Sequence, residues 1–556
     1  MYGLIKWLME YIFHVVNDNH ESMPLDPCPF LSMAPTTEPT SRARAASRPK
    51  KDNIQAVALG ELDMDSSKYN IRYLLTICGV AALGGLLFGY DTAVISGAIG
   101  PIQRHFDLSS LETGWAVSNV AIGCIIGAFA SGAVAARLGR KKTLIIAALL
   151  FTISAVGAAV ATSFSWFIIY RFIGGIAVGI ASAVSPMYMS EVSPKNLRGR
   201  ALSMQNIAIV FGQVVIFVVN YLIARGATDA WLADVGWRVM IGSEVLPCIL
   251  FCLVVFFIPE SPRWLVMVGR DQDAQRTLGR IGGAEYGERV LADIRESLAS
   301  DRLRRQQADR KGELLRDQRF WFIASIACLI AFFQQASGVN VMMYFAPVVL
   351  GNVTGNTEVA MFLTIWIGVV QLLGNLLGMM LMDKVGRVPL FKVGTVGCVV
   401  GLLMTSFFLY RSGGLSGDAA VLQGYLTLAG MLVFMLFFAF SWALGAWIIV
   451  SEIFPNRMRA FGMSLSVTTL WISNFLIGLG FPILNQNPWL TEQFNGAFPM
   501  WLFAALMALA FLFIRHFLPE TNGVALEEME DNVLAKYPGG TAKRRGATGE
   551  LVGATR

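Results

Sequence analysis

Charge is what this 556-residue chain has least of. Asp, Glu, Lys and Arg make up 15% of it, against 55% hydrophobic residues and a mean hydropathy of +0.57. Water-soluble domains carry about 25% charged residues, so a soluble globule is excluded for most of the chain. Histidine is scarce too: His14, His20, His105 and His516 form no cluster. The seven cysteines are scattered: Cys28 lies near the N-terminus, and Cys78, Cys124, Cys248, Cys252, Cys328 and Cys398 sit in apolar stretches, where a thiol acts as a small apolar residue. None has metal-ligand spacing. We expect no metal, no cofactor and no disulfide, and no nucleophile–base pairing points to an enzyme. The net charge of +6 comes from basic loops and tails and needs no nucleic-acid partner.

Present instead are apolar stretches of about 20 residues, enough to cross a bilayer. They lie near 72–96, 115–136, 142–162, 166–189, 202–223 and 237–258, then, after a polar gap, near 320–348, 358–382, 389–410, 422–450, 461–484 and 496–517. Twelve transmembrane helices in two six-helix lobes are expected, an all-α membrane protein. Basic residues orient it. Arg137, Arg140, Lys141 and Lys142 follow span 2; Lys195, Arg198 and Arg200 follow span 4; Lys384 and Arg387 follow span 8; Arg457 and Arg459 follow span 10. The opposite loops hold little beyond Arg104, Arg225 and Arg411. Positive charge favours the cytoplasmic side, which places both termini and the central gap there. The plasma membrane, or the inner membrane of a bacterium, is the expected location.

Motifs repeat between the halves. Ser190-Glu191-Val192-Ser193-Pro194 with Arg198-Gly199-Arg200 recurs as Ser451-Glu452-Ile453-Phe454-Pro455 with Arg459. Pro259-Glu260-Ser261 recurs as Pro519-Glu520-Thr521, and Gly139-Arg140-Lys141 as Gly386-Arg387. A duplicated apolar chain with basic punctuation has the form of a two-lobed membrane transporter. The division is a tail over 1–70, one lobe over 71–260, a linker over 261–318, a second lobe over 319–520 and a tail over 521–556. Met1 to Val16 read as a surface-lying amphipathic helix or as an upstream extension without function. They lack the basic start and small-residue cleavage site of a signal peptide. Residues 34–56 read as disordered. In the linker, Arg302-Leu303-Arg304-Arg305-Gln306-Gln307 has helical propensity but no continuous apolar face; short helices packed beneath the lobes are expected, a solvated linker being the alternative.

Gly89-Tyr90-Asp91 in span 1, Arg171-Phe172-Ile173-Gly174-Gly175 in span 4, Pro259-Glu260-Ser261-Pro262-Arg263-Trp264 after span 6, Gln334-Gln335 with Asn340 in span 7 and Pro519-Glu520-Thr521 after span 12 stand in one order. In that order and spacing the chain, from about 72 to 530, resembles the sugar porter family of the major facilitator superfamily. It looks most like the bacterial proton-coupled xylose symporters, then the glucose facilitators of animals. The resemblance implies a substrate held midway between the lobes and function as a monomer.

A sugar is neutral and rich in hydroxyls, and each unpaired polar group taken into hydrocarbon costs several kcal/mol. Amides suit a carrier, since each donates and accepts. Span 7 supplies Gln334, Gln335, Asn340 and Tyr344, with Gly338 and Pro347 able to break the helix; amides that merely bind helix to helix are the bland reading. Span 10 adds Trp442 and Trp447, and the resemblance makes Trp447 the tryptophan beneath the sugar. Phe88, Gln205, Asn206, Gln213, Gln371, Leu470, Trp471 and Asn474 complete the candidate substrate set. Against the xylose-symporter pattern, Asn206, Gln371 and Leu470 are departures, Leu470 being unable to hydrogen-bond. Ala443-Leu444 replaces the span 10 Gly-Pro, so that Gly445 is expected to take over the bend.

A carboxylate inside an apolar span is costly and usually functional. The resemblance pairs Asp91 with Arg171 as the proton-coupling couple, where animal facilitators typically carry Asn; a static pair joining spans 1 and 4 is the alternative. Arg140, Glu191, Arg198, Glu260, Asp383, Arg387, Glu452, Arg459 and Glu520 read as a cytoplasmic charge latch across the lobes. The leading function is a proton-coupled monosaccharide importer. A sugar or polyol uniporter of the same fold is the near alternative. A non-transporting sugar sensor would carry a longer C-terminal tail, and a drug exporter would lack the span 7 amides.

Overall fold

In the computed structural model, residues 69–307, 318–454 and 459–521 are described, apart from the side chains of 301–307, Asp383 and Ala460. The expectations for 1–68, Arg457, the C-terminal tail and the Asp383 side chain fall outside that set. Every element described is a helix, and twelve are long and apolar enough to cross a membrane.

The first six spans are α1 (Ile71–His105), α2 (Ser110–Leu138), α3 (Arg140–Ala159), α4 (Phe164–Val192), α5 (Arg198–Ala224) and α6 (Asp229–Val255). Three further helices follow: α7 (Pro262–Met267), α8 (Asp271–Gly282) and α9 (Ala284–Gln307). The seventh span is broken into α10 (Gln318–Ala336), α11 (Val339–Tyr344) and α12 (Ala346–Thr354). Next come α13 (Thr357–Val385), α14 (Arg387–Tyr410), α15 (Asp418–Phe440) with α16 (Trp442–Ile453), α17 (Arg459–Asn485), the short α18 (Pro488–Phe494) and α19 (Phe498–Phe517). Expected and observed spans coincide, most observed helices running further at their ends, although α3 stops at Ala159, α6 stops at Val255 and α19 begins only at Phe498. Span 6 departs most: a π turn over Leu232–Gly236 and an interruption at Ser243 and Glu244 divide what the sequence reads as one apolar run.

Each half turns the same corner on the basic face. Gly139, at φ +95°, ends α2 and begins α3; Gly386, at φ +94°, ends α13 and begins α14. These left-handed angles suit glycine because no β-carbon is strained there. The freed N–H groups at each new helix start meet a carboxylate. Arg140 and Lys141 donate their backbone N–H groups to Glu260 at 2.9 and 3.1 Å. Arg387 and Val388 donate theirs to Glu520 at 2.9 and 3.0 Å. An anion at a helix N-terminus satisfies both the donors and the helix dipole. The repeated Pro-Glu motifs are therefore helix caps.

Helices α7 to α9 hold a small core of their own, with Trp264, Leu265, Ala274, Leu278 and Leu291 buried together. They dock under the N-terminal half: the Trp264 indole donates to the Ala136 carbonyl at 3.0 Å, and the Asn70 N–H reaches the Ile281 carbonyl at 2.8 Å. The linker is helical, as expected. Its Lys195–Asp293 bridge is largely exposed and stabilises little.

The halves meet along α2 with α17 and α5 with α13. At the far face, opposite the basic motifs, hydrogen bonds close the seam. Gln103 and Gln486 exchange amide bonds at 3.2 and 3.3 Å, and Ser110 donates to Gln486 at 2.8 Å. Glu358 accepts from the Gly226 N–H at 3.1 Å, and Thr357 donates to Asp229 at 3.1 Å. The molecule is thus held shut at the far face. A Gln486→Ala protein loses three of these bonds, each a net contribution of about 1 kcal/mol, and should spend more time open there. Cysteine labels placed across the α1–α17 seam should read longer distances in electron-spin measurements on the variant; an unchanged distance distribution would show that the seal lies elsewhere.

Candidate substrate and coupling site

Close packing of α1 on α5 sets the level of the site. Gly89 lies against the backbone of Ile209 and Gln213, so Tyr90 and Asp91 stand beside the middle of α5. One turn away, Gly368 on α13 packs on Val214 and Phe217 of α5. Gln213 and Gln371 both follow that contact toward the basic face, and so lie at one level. Gln205, further along α5, turns in against Gly85 of α1.

These amides lack protein partners. Neither Gln205 amide atom has one, nor do the carbonyl oxygens of Gln213 and Gln371, although all four atoms are buried. A buried polar group left unpaired costs about 1–3 kcal/mol. Gln213 and Gln371 at one level, with Gln205 about two turns nearer the basic face, mark a path that a hydroxyl-bearing guest would complete. Asn206, next to Gln205, is exposed and stands apart from them.

Gly338 explains how span 7 joins this layer. At φ +83° it lets the chain turn between α10 and α11. The Gln335 carbonyl oxygen then accepts from both Asn340 and Asn474, across α10, α11 and α17. Its NH2 group is left to serve another acceptor. Tyr344 is buried in the same helix, and Phe88 of α1 faces Trp471 of α17, ring centres 6.2 Å apart. Gln334 is more committed: it donates to the Trp442 carbonyl at 3.0 Å, holding the start of α16.

Span 10 corrects the sequence reading twice. Trp442 is fully buried, its indole donating to Thr395 at 3.0 Å and its ring against Phe391 at 4.7 Å. It is packing for the C-terminal half and does not face the guest. Trp447 is 44% exposed and lines a shallow apolar groove with Gln334, Ala446, Val467 and Leu470. The helix breaks at Ser441, not at Gly445, whose bare α-carbon lets Phe391 press close.

Asp91 and Arg171 are both buried and joined by one bond of 2.9 Å between Oδ1 and Nη1, with Nη1 also reaching the Asp91 carbonyl at 3.2 Å. Asp91 Oδ2 and Arg171 Nε have no partner among the described residues. A buried ion pair is favourable only when its remaining lone pairs and protons are satisfied. This one is under-satisfied. A third charge was missed in the sequence. Glu244, in the interruption of α6, is 1% exposed with Oε1 unpartnered, and it feels the charges of Asp91 and Arg171. Beside it Ser243 and Tyr90 share a 2.8 Å hydrogen bond. The rule that singles out Asp91, an acid within an apolar span, finds Glu244 equally.

The latch residues divide by half. Arg140 grips Glu191 with two bonds of 2.8 and 2.7 Å; Ser261 also donates to Glu191. Arg387 meets Glu452 at 3.3 Å. Arg459 donates to the Phe454 carbonyl at 3.4 Å, and Arg198 is exposed. These described pairs form within each half, whereas the sequence reading set opposite charges across the lobes. In this far-face-closed conformation the motifs brace each half internally.

The fold is that of a two-lobed membrane carrier with a polar layer between its halves. The chain matches the sugar (and other) transporter family over residues 77–533 and belongs to it. It is 37% identical over 492 residues to the D-xylose-proton symporter of Escherichia coli K12, covering 84% of this chain and 96% of that protein. It is 32% identical over 464 residues to the arabinose-proton symporter of Bacillus subtilis, covering 83% and 95%. The inward-open structure of the E. coli xylose transporter superposes with a TM-score of 0.71 at 35% identity, covering 82% of this chain and 99% of that one. This is a transporter family, not an enzyme family.

Proposed function

We propose that the chain imports a monosaccharide by proton symport, from the outside of the plasma membrane, or of the inner membrane if the cell is bacterial, working as a monomer with both termini in the cytoplasm and without a cofactor. The observation that carries the sugar reading is the set of uncharged amides at Gln205, Gln213 and Gln371, whose buried oxygens have no protein partner among the described residues. Sugar hydroxyls both donate and accept, so they satisfy such amides, while charged solutes do not. The under-satisfied Asp91–Arg171 pair supports coupling. Protonation of Asp91 releases Arg171 and changes the balance between the two conformations. The relatives whose names include a proton, for xylose and for arabinose, support the same reading. On this assignment the far face is extracellular, and the conformation seen is closed to the outside.

Uptake of radiolabelled D-xylose, L-arabinose, D-glucose and myo-inositol into proteoliposomes, with and without a pH gradient, tests it. Gradient-driven accumulation of at least one solute is expected. No entry of any of them, with protein folded and inserted, would overturn the sugar reading. Leu470 sets a finer expectation. Its side chain beside Trp447 offers no hydrogen bond, and Leu470→Gln adds one worth about 1 kcal/mol. The ratio of uptake between two sugars of the panel should shift about fivefold. An unmoved ratio would take Leu470 out of the site.

A further inference from the structure

We propose that a pocket on the far face of the C-terminal half is a second binding site, for a neutral monosaccharide or polyol. It encloses about 270 Å³, just under the range of about 300–1,000 Å³ typical of drug-sized ligands, and so suits a single sugar ring. It lies between the end of α12, the loop after α14, the end of α17 and α18. All of these belong to one half, so the pocket persists whichever way the halves rock.

Its lining has no charged side chain. Among the described residues, the Asn352 and Asn485 amides have no side-chain hydrogen bond to the protein, and both face the pocket. Two hydroxyls have spent their donors on backbone carbonyls, Ser412 on Leu409 at 2.7 Å and Thr491 on Asn485 at 3.0 Å, and Asn495 has given one of its two N–H donors to Tyr410 at 3.0 Å. Their oxygens remain as acceptors. The pocket therefore offers two free amides and three spare acceptors, a neutral set that matches groups able to donate and accept at once. An ion would find no countercharge.

The pocket also adjoins the far-face seal. Asn485 lines it, and the next residue is Gln486, which clasps Gln103. A solute held there waits beside the seam that must part to admit it. The site captures its guest at the entrance, before the central amides become accessible.

Hydrogen exchange read by mass spectrometry, on the full chain in lipid nanodiscs, tests this with D-xylose, sorbitol and glucose 6-phosphate as probes. D-xylose and sorbitol should slow exchange over 349–353, 409–415 and 485–496; glucose 6-phosphate should not. That slowing should persist in Gln205→Ala/Gln371→Ala, where the central site is weakened. Its midpoint concentration should rise about tenfold in Asn352→Leu/Asn485→Leu, the loss of two neutral hydrogen bonds. Asn352 is exposed, so Asn352→Leu alone serves as a second, folding-neutral variant with a smaller rise of about threefold. No slowing in these segments while the central helices respond would overturn the proposal, leaving a water-filled crevice. So would slowing that is identical in both Asn352 variants and in the parent. Slowing here without any central response would uphold the pocket and remove the central sugar reading instead.

Discussion

Asp91→Asn protein is expected to bind sugar and exchange it between the two sides, yet never to concentrate it. Asparagine has nearly the shape of a protonated aspartic acid and cannot lose the proton. In the parent, Asp91 Oδ1 holds Arg171 at 2.9 Å while Oδ2 is buried without a partner. The open oxygen is where a proton can land before the pair separates. In the Asp91→Asn protein that event is absent, so a pH gradient has nothing to act on, and accumulation falls to the equilibrium level. Counterflow in the same vesicles should survive. If the parent itself shows counterflow but never concentrates sugar under an imposed gradient, the protein is a uniporter, and the pair is a static tie between α1 and α4. Glu244 adds a control. Its carboxylate sits in the same charge cluster without a hydrogen-bond partner on Oε1. Glu244→Gln should therefore move the pH dependence of uptake while leaving sugar binding in place.

Arg140→Ala should destabilise the protein more than Arg387→Ala. Arg140 makes two short bonds to Glu191, both side chains about nine-tenths buried, whereas Arg387 meets Glu452 at 3.3 Å and that carboxylate is 27% exposed. Removing one partner of a buried, bidentate pair costs about 3–5 kcal/mol, because the other charge is stranded. A longer, single and less buried contact lowers that cost. Thermal unfolding of the two variants in one detergent measures the difference. Equal losses would mean that the two halves are braced alike and that the tighter contact carries no extra stability.

The fold was legible because a bilayer imposes one length and one polarity on every span, and because the duplicated motifs recur in order. That Asp91, Arg171 and Gln335 would be buried polar groups inside the bundle was legible for a related reason: a polar group in an apolar run needs a partner. Glu244 was legible by the same rule and was overlooked, because no repeated motif surrounds it; only the interruption at Ser243 and Glu244 has no signal in the sequence. Trp442 was misjudged because an aromatic in an apolar run serves packing as readily as binding. It shares α16 with Trp447 but stands five residues away, about 140° round the helix, and so faces Phe391 and Thr395. The partners of Arg140 and Arg387 were ambiguous for a deeper reason. A repeated Arg and a repeated Glu allow pairing within a half or between halves, and only coordinates choose. Gln103 and Gln486, which close the far face, are lone polar residues at span ends and carry no pattern at all.

The glycine corners on the basic face bear on how quickly the carrier can cycle. Glu260 and Glu520 each bind backbone N–H groups of their own half, and Arg140 and Arg387 each bind a glutamate of their own half. None of these bonds spans the moving seam. A half-turn of the cycle therefore need not rupture any of them, and their enthalpy stays out of the activation barrier. The Arrhenius slope of turnover should then report the far-face amides, the guest and the lipid, and substitutions at the corners should shift melting far more than they shift that slope.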